Sequence, residues 1–190
     1  IINNEATENK EEKEEKQISE SMQVTQGKLV MGLDIQCTAE NSRFIASVYN
    51  AILGGGANSK LFQNVREKQS LAYTANSGYN RTKNTIFIRC GIEIQKYDKA
   101  VETIKQQLED MKKGDFTQED LANSKELILA SVEGITEEQD TEITYYYGQE
   151  LADRFVSIEE YKNKIKQVSK EQIIDLAKTV KVNTIYFLKD

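Results

Sequence analysis

Two side chains in this sequence carry chemistry at a spacing that lets them act on one point. Arg66 falls near the end of a short predicted helix and Tyr73 just inside the strand that follows. With a turn between them, both can converge on one place. A guanidinium fork holds backbone carbonyls or a carboxylate. A phenol can donate to the oxyanion of a tetrahedral intermediate. Both residue types also have plain structural uses: an arginine in a Glu-rich domain is ordinarily a surface charge, and a strand tyrosine ordinarily packs. Just upstream stands Gly54-Gly55-Gly56. A glycine-rich loop before a helix can cradle phosphate on its amides, but Gly54 to Lys60 lacks the Walker A order, and a dinucleotide fingerprint needs a strand before the loop where this chain has a helix. Two readings remain. One is a helix-to-helix link with glycine where φ is positive. The other is close approach of a second backbone, either the protein's own or a bound peptide's.

Other chemistries find less support. The chain has 190 residues and no histidine, so it cannot by itself supply a His-x-x-Glu-His zinc site. Cys37 and Cys90 fall in two apolar strand candidates; two buried reduced thiols are the ordinary reading, with a disulfide open if the strands are neighbours. Two cysteines without histidine do not make a tetrahedral zinc site unless carboxylates or a partner complete it, so no metal ligand is assigned in this chain. Glu133, Glu137, Glu138 and Asp140 lack the order of an EF-hand loop and read as a solvated helix junction. A formal charge of −6, with basic residues scattered, argues against nucleic-acid binding. No apolar run approaches the roughly 20 residues that span a bilayer. No export signal is visible and cysteine is sparse, which makes the cytoplasm the default expectation, although a chain opening on Ile1 reads as a fragment or processed product.

The elements that must position Arg66 and Tyr73 follow from periodicity. Residues 1–23 are polar and charged, show no strand pattern and read as a charged linker or tail; the folded unit is expected over 24–190. Lys28 to Ile35 reads as a strand in which Gly32 suggests close backbone approach. Phe44, Ile45, Val48 and Ile52 have helical spacing and end at the triple glycine. A short helix from Asn58 or Ser59 to about Lys68 carries Leu61, Phe62 and Val65 on one face. Ala72–Tyr79 and Thr85–Ile94 form a predicted antiparallel hairpin. Helices follow over Tyr97–Lys112, from Thr117-Gln118-Glu119-Asp120 to Val132, and over about Glu137–Phe155, where neighbouring rings of Tyr145–Tyr147 must face different ways. Ser157 and Ser169 cap two more. Val182–Leu188 closes the chain as a strand. Proline is absent, where average usage of about 5% would give roughly nine or ten, so turns must rely on Gly, Asn and Asp. Few strands, mostly hairpin-connected, with helices grouped between them, predict an α+β fold in two layers: a mainly antiparallel sheet with helices packed on one face.

The run Leu53-Gly54-Gly55-Gly56-Ala57-Asn58-Ser59-Lys60-Leu61-Phe62-Gln63-Asn64-Val65-Arg66-Glu67-Lys68-Gln69-Ser70-Leu71-Ala72-Tyr73 resembles the signature of the C-terminal half of pitrilysin-like (M16) zinc metalloproteases, and Gln26-Gly27-Lys28-Leu29-Val30-Met31-Gly32 looks like that half's entry strand. The resemblance extends over about Val24 to Asp190. It implies the M16 peptidase, LuxS-like metallohydrolase fold. It also implies a division of labour: zinc is expected in an N-terminal zinc-binding half, in the same polypeptide or another subunit, while this half helps bind a peptide substrate and polarises the scissile carbonyl. Carried over, Arg66 and Tyr73 hold substrate backbone and carbonyl, and Gly54, Gly55 and Gly56 line the chamber. The chain alone is then expected to be inactive. The alternative is a noncatalytic M16-like module that binds peptides or a catalytic sibling.

Overall fold

The computed structural model describes residues 14–37, 41–151 and 155–190. Five strands form one sheet in the order β1-β5-β2-β4-β3: β1 (Lys16–Ser21), β2 (Gly27–Asp34), β3 (Ala72–Asn80), β4 (Thr85–Ile92) and β5 (Lys181–Lys189). All pairs are antiparallel except β1 with β5. The six helices are α1 (Ser42–Gly54), α2 (Tyr97–Lys113), α3 (Gln118–Glu133), α4 (Gln139–Leu151), α5 (Ile158–Gln167) and α6 (Lys170–Thr179).

Period-two alternation decides which sheet face is covered. Leu29, Met31 and Leu33 of β2, Ile86, Ile88, Cys90 and Ile92 of β4, and Ile185 and Phe187 of β5 are all buried. They join Phe44, Val48 and Ile52 of α1, Ile104, Leu108 and Met111 of α2, and Ile173 of α6 in one core. The alternate positions Lys28, Asn76 and Arg89 are exposed. Thus helices close one face of the sheet, as the sequence predicts. Among the described residues, no helix is long and apolar enough to cross a membrane.

Caps follow the sequence closely. Thr117–Asp120 and Ser169–Gln172 form reciprocal capping boxes, and the Ser157 side chain accepts from the Glu160 N–H. Gly114, at φ +73°, closes α2 in the left-handed region, where a side chain would strain the backbone. Turns at Ser70 and Asn84 also have positive φ, +49° and +48°.

Several expectations need correction. Lys16–Ser21, inside the segment read as a charged tail without strand pattern, is a strand paired parallel to β5. All six of its residues are exposed. Backbone pairing and a hydrogen bond from the Tyr186 hydroxyl to Glu20 Oε2 at 2.8 Å hold it, with no buried apolar side chain, so no apolar alternation marks it in the sequence; residues 1–13 lie outside the described part. Gly32 is not a close approach, since an added methyl would find Phe87 and the Thr184 carbonyl at an ordinary 3.9 Å. It marks instead a register shift between β2 and β5. Cys37 lies beyond the end of β2, and both cysteines are free thiols. The strand expected to reach Ile94 ends at Ile92, followed by a 3₁₀ turn, Ile94–Lys96. The helix expected over Glu137–Phe155 is α4 alone, preceded by the 3₁₀ turn Gly134–Glu137; residues 152–154 lie outside the described part.

Candidate functional site

The segment from α1 to β3 carries all five candidate residues. Gly54 is buried at the end of α1. A methyl group on it would lie 2.5 Å from Ser77 Oγ, 2.6 Å from the Ser77 backbone nitrogen and 2.9 Å from Leu61 Cδ1. The close approach is therefore to the protein's own strand. The Ser77 hydroxyl also donates to the Asn50 carbonyl at 3.4 Å, joining α1 and β3 a second time. Gly55 is exposed and Gly56 half-buried, with Leu127 packed near it. None of the three has positive φ. The expectation of left-handed glycines is thus incorrect: tight packing, not a special dihedral, explains Gly54.

The next turn is wound as a π-helix, Phe62–Lys68. Such turns insert an extra residue per turn and are frequent at functional sites. Leu61 and Val65 are fully buried beneath it. Two polar contacts fix it to α2: Asn64 Nδ2 donates to Gln107 Oε1 at 2.5 Å, and Thr103 Oγ1 donates to Gln69 Oε1 at 3.1 Å. Gln107 and Thr103 are themselves buried, so losing either partner would leave a buried polar group to be satisfied from the cleft side alone, at some cost. The Leu71 N–H donates to the Val65 carbonyl at 2.9 Å, and Lys96 Nζ to the Ser70 carbonyl at 3.0 Å, closing the turn into β3.

Arg66 projects from this clamped turn. Its guanidinium lies 4.6 Å from the centre of the ring of Phe62, four residues earlier, and its Nε is 3.5 Å from Glu67 Oε1. A ring beneath a guanidinium limits its rotamers while leaving the outer N–H groups open. Tyr73 is the extra residue of a β-bulge: Ala72 pairs with Ile92 and Thr74 with Gly91, so Tyr73 has no partner in β4. Thr74 Oγ1 accepts the Gly91 N–H at 3.1 Å and replaces the lost ladder bond. Bulges re-aim side chains, and here the tyrosine is 56% exposed, its hydroxyl without a hydrogen bond among the described residues. Arg66 and Tyr73 form no hydrogen bond with each other. The tight turn at Ser70 places them on neighbouring elements, both open to solvent.

The surface is open. Neither the polar cleft of about 350 Å³ beneath the π-helix, lined by Lys60, Asn64 and Asp110 among others, nor the groove of about 550 Å³ along α4 is lined by Arg66, Tyr73 or the glycines. No three His, Cys, Asp or Glu side chains gather as metal ligands among the described residues. The chain has no histidine, and burial pushes the Cys90 thiol up to about 12 and the Cys37 thiol upward, with Tyr79 hydrogen bonding opposing the shift at Cys37. Zinc is held by thiolates, neutral imidazoles or carboxylates; with no histidine, two thiols that burial keeps protonated and no cluster of three donors among the described residues, the donor set does not fit a catalytic zinc. Sequence reasoning missed Phe62, Thr74 and the Gln107–Asn64 clamp. Only the four-residue spacing of Phe62 and Arg66 signalled any of these in the sequence.

The chain thus presents an α+β fold with Arg66 and Tyr73 open to solvent and, among the described residues, no cluster of metal ligands. The model of the Peptidase M16 inactive domain matches residues 3–128. The chain belongs to this family, as a C-terminal M16 domain. It is 36% identical over 190 residues to the probable inactive metalloprotease YmfF of Bacillus subtilis (strain 168), covering all of this chain and 44% of that protein. It is 29% identical over 134 residues to the uncharacterized zinc protease YmxG of the same organism, covering 69% of this chain and 33% of that protein. The crystal structure of a conserved protein from Enterococcus faecalis V583 superposes with a TM-score of 0.83 at 26% identity, over 93% of this chain and 42% of that one. The chain therefore spans less than half the length of these relatives.

Proposed function

We propose that this domain forms one wall of a peptide-binding site whose zinc belongs to an N-terminal M16 half, in the same polypeptide or in a second subunit. The observation that carries the reading is the bulge at Tyr73, whose exposed phenol has no hydrogen bond among the described residues and follows the ring-backed Arg66 across the Ser70 turn. Arg66 would hold substrate carbonyls and Tyr73 would donate to the oxygen of the scissile carbonyl as it gains charge. Strand β3 is at the sheet edge with β4 as its neighbour, so an extended peptide could add to it. Gly55, the exposed member of the glycine run, borders the same segment. Zinc in the other half would supply the activated water; this chain's own residues bind and polarise.

The test uses the complete protein. Tyr73→Phe and Arg66→Ala should each lower peptide turnover by roughly a hundredfold or more, as removal of an oxyanion donor does, with unfolding transitions unchanged. Full turnover in the double variant would refute the assignment. A second reading, a noncatalytic module that binds peptides or a catalytic sibling, draws on the description of YmfF as probably inactive. It expects no His-x-x-Glu-His in the coding sequence upstream of Ile1, no hydrolysis by the complete protein, and peptide binding that still falls on the same substitutions.

A further inference from the structure

Helix α4 contributes no buried residue to the core. Its outer face is nonetheless apolar: Ile143 is 65% exposed and Tyr147 62%, and Phe155, beyond the helix end, is 64% exposed. Tyr146 stacks on Phe155, ring centres 5.5 Å apart, and the four line an open groove of about 550 Å³ together with Glu142 and Glu150. An amphipathic helix whose apolar side faces water is the mark of an interaction surface. Charge says what kind. The two glutamates are eight residues apart, about 12 Å along the helix axis, and neither has an ion-pair partner among the described residues. From Glu126 to Asp153 the sequence has no lysine or arginine, while Glu137, Glu138 and Asp140 precede the groove; the next basic residue, Arg154, lies outside the described residues.

We propose that the groove along α4 docks a basic amphipathic helix of another protein chain. Apolar side chains of the guest enter between Tyr146, Tyr147 and Phe155, and its lysines or arginines, two helical turns apart, meet Glu142 and Glu150. An apolar groove running along a helix is the kind of surface that receives an amphipathic helix, and Glu142 and Glu150 in its lining select against acidic guests. The proposal is independent of Arg66 and Tyr73.

The experiment measures binding of a labelled synthetic helix of about 15 residues, leucine on one face and lysine on both flanks, to the full-length protein by fluorescence anisotropy. Binding is expected, weakening several-fold when salt rises from low to high. Glu142→Lys with Glu150→Lys should weaken it by about tenfold or more, and Tyr147→Ala by about tenfold, with circular dichroism unchanged because none of these three side chains is buried; the core contacts of α4 are made by Tyr145 and Tyr146. A peptide with glutamate in place of lysine should not bind. Equal binding of both peptides, no binding of either, or no effect of the charge reversal would overturn the proposal. So would a concentration-dependent dimer abolished by Ile143→Glu, which would assign the face to a second copy of the protein.

Discussion

Gly54→Ala is the sharpest probe of how the candidate site is held. The substitution should help the helix locally, by up to about 1 kcal/mol, because Gly54 has an ordinary negative φ. Packing opposes this. The new methyl would meet the Ser77 backbone nitrogen at 2.6 Å, Ser77 Oγ at 2.5 Å and Leu61 Cδ1 at 2.9 Å. Ordinary contact begins near 3.5 Å, so α1 and β3 must part by about 1 Å. A strand backbone cannot rotate aside as a side chain can. Overpacking of this kind costs about 2–4 kcal/mol, leaving a net loss of about 1–3 kcal/mol. With a urea slope of about 2–3 kcal/mol per molar, the unfolding midpoint should fall by about 0.3–1.5 M. Gly148→Ala is the control: it lies inside α4 with nothing within 4 Å of an added methyl, and should raise the midpoint by about 0.3 M. Adding Ser77→Ala to Gly54→Ala should recover only part of the loss, since the backbone nitrogen remains. A Gly54→Ala midpoint at or above that of the unaltered protein would refute the packing argument.

Two further outcomes follow from the same geometry. Thr74→Val deprives the buried Gly91 N–H of its acceptor; it should cost about 1–2 kcal/mol and lower peptide binding by the complete protein, while Thr74→Ser preserves both. If Thr74→Val alters stability but not binding, the bulge does not aim Tyr73. In the folded protein the Cys90 thiol is held neutral up to about 12 by burial, above its ordinary value of 9.0. The unfolded chain therefore releases this proton first, and stability present below pH 9 is lost as pH rises toward 12. Denaturation at pH 8 and pH 10.5 should differ by about 1–2 kcal/mol from this group, and Cys90→Ala should flatten that limb. An unchanged slope in the variant would remove Cys90 as the cause.

Much of the fold is legible in the sequence because its signals are local. Alternation of Ile86, Ile88, Cys90 and Ile92 needs only one covered face, and the caps at Thr117, Ser157 and Ser169 act within a single turn. β1 escapes because its hydrogen bonds come from β5, more than 150 residues away in the chain, and no residue of β1 has to be apolar to accept them. The glycine run shows the same limit: the sequence signals an unusual backbone at Gly54, but only the folded chain brings Ser77 against it.

The sequence by itself determined the family of the chain, the helices and strands that carry apolar periodicity or caps, and the absence of imidazole donors, since these depend on residue identity and short-range spacing. The tertiary structure alone decided that Tyr73 stands on a bulge, that Phe62 backs Arg66, that Gln107 and Thr103 clamp the turn between them, and that an apolar face of α4 is left uncovered. Each is a matter of which surfaces meet, and that is settled by packing across the whole chain.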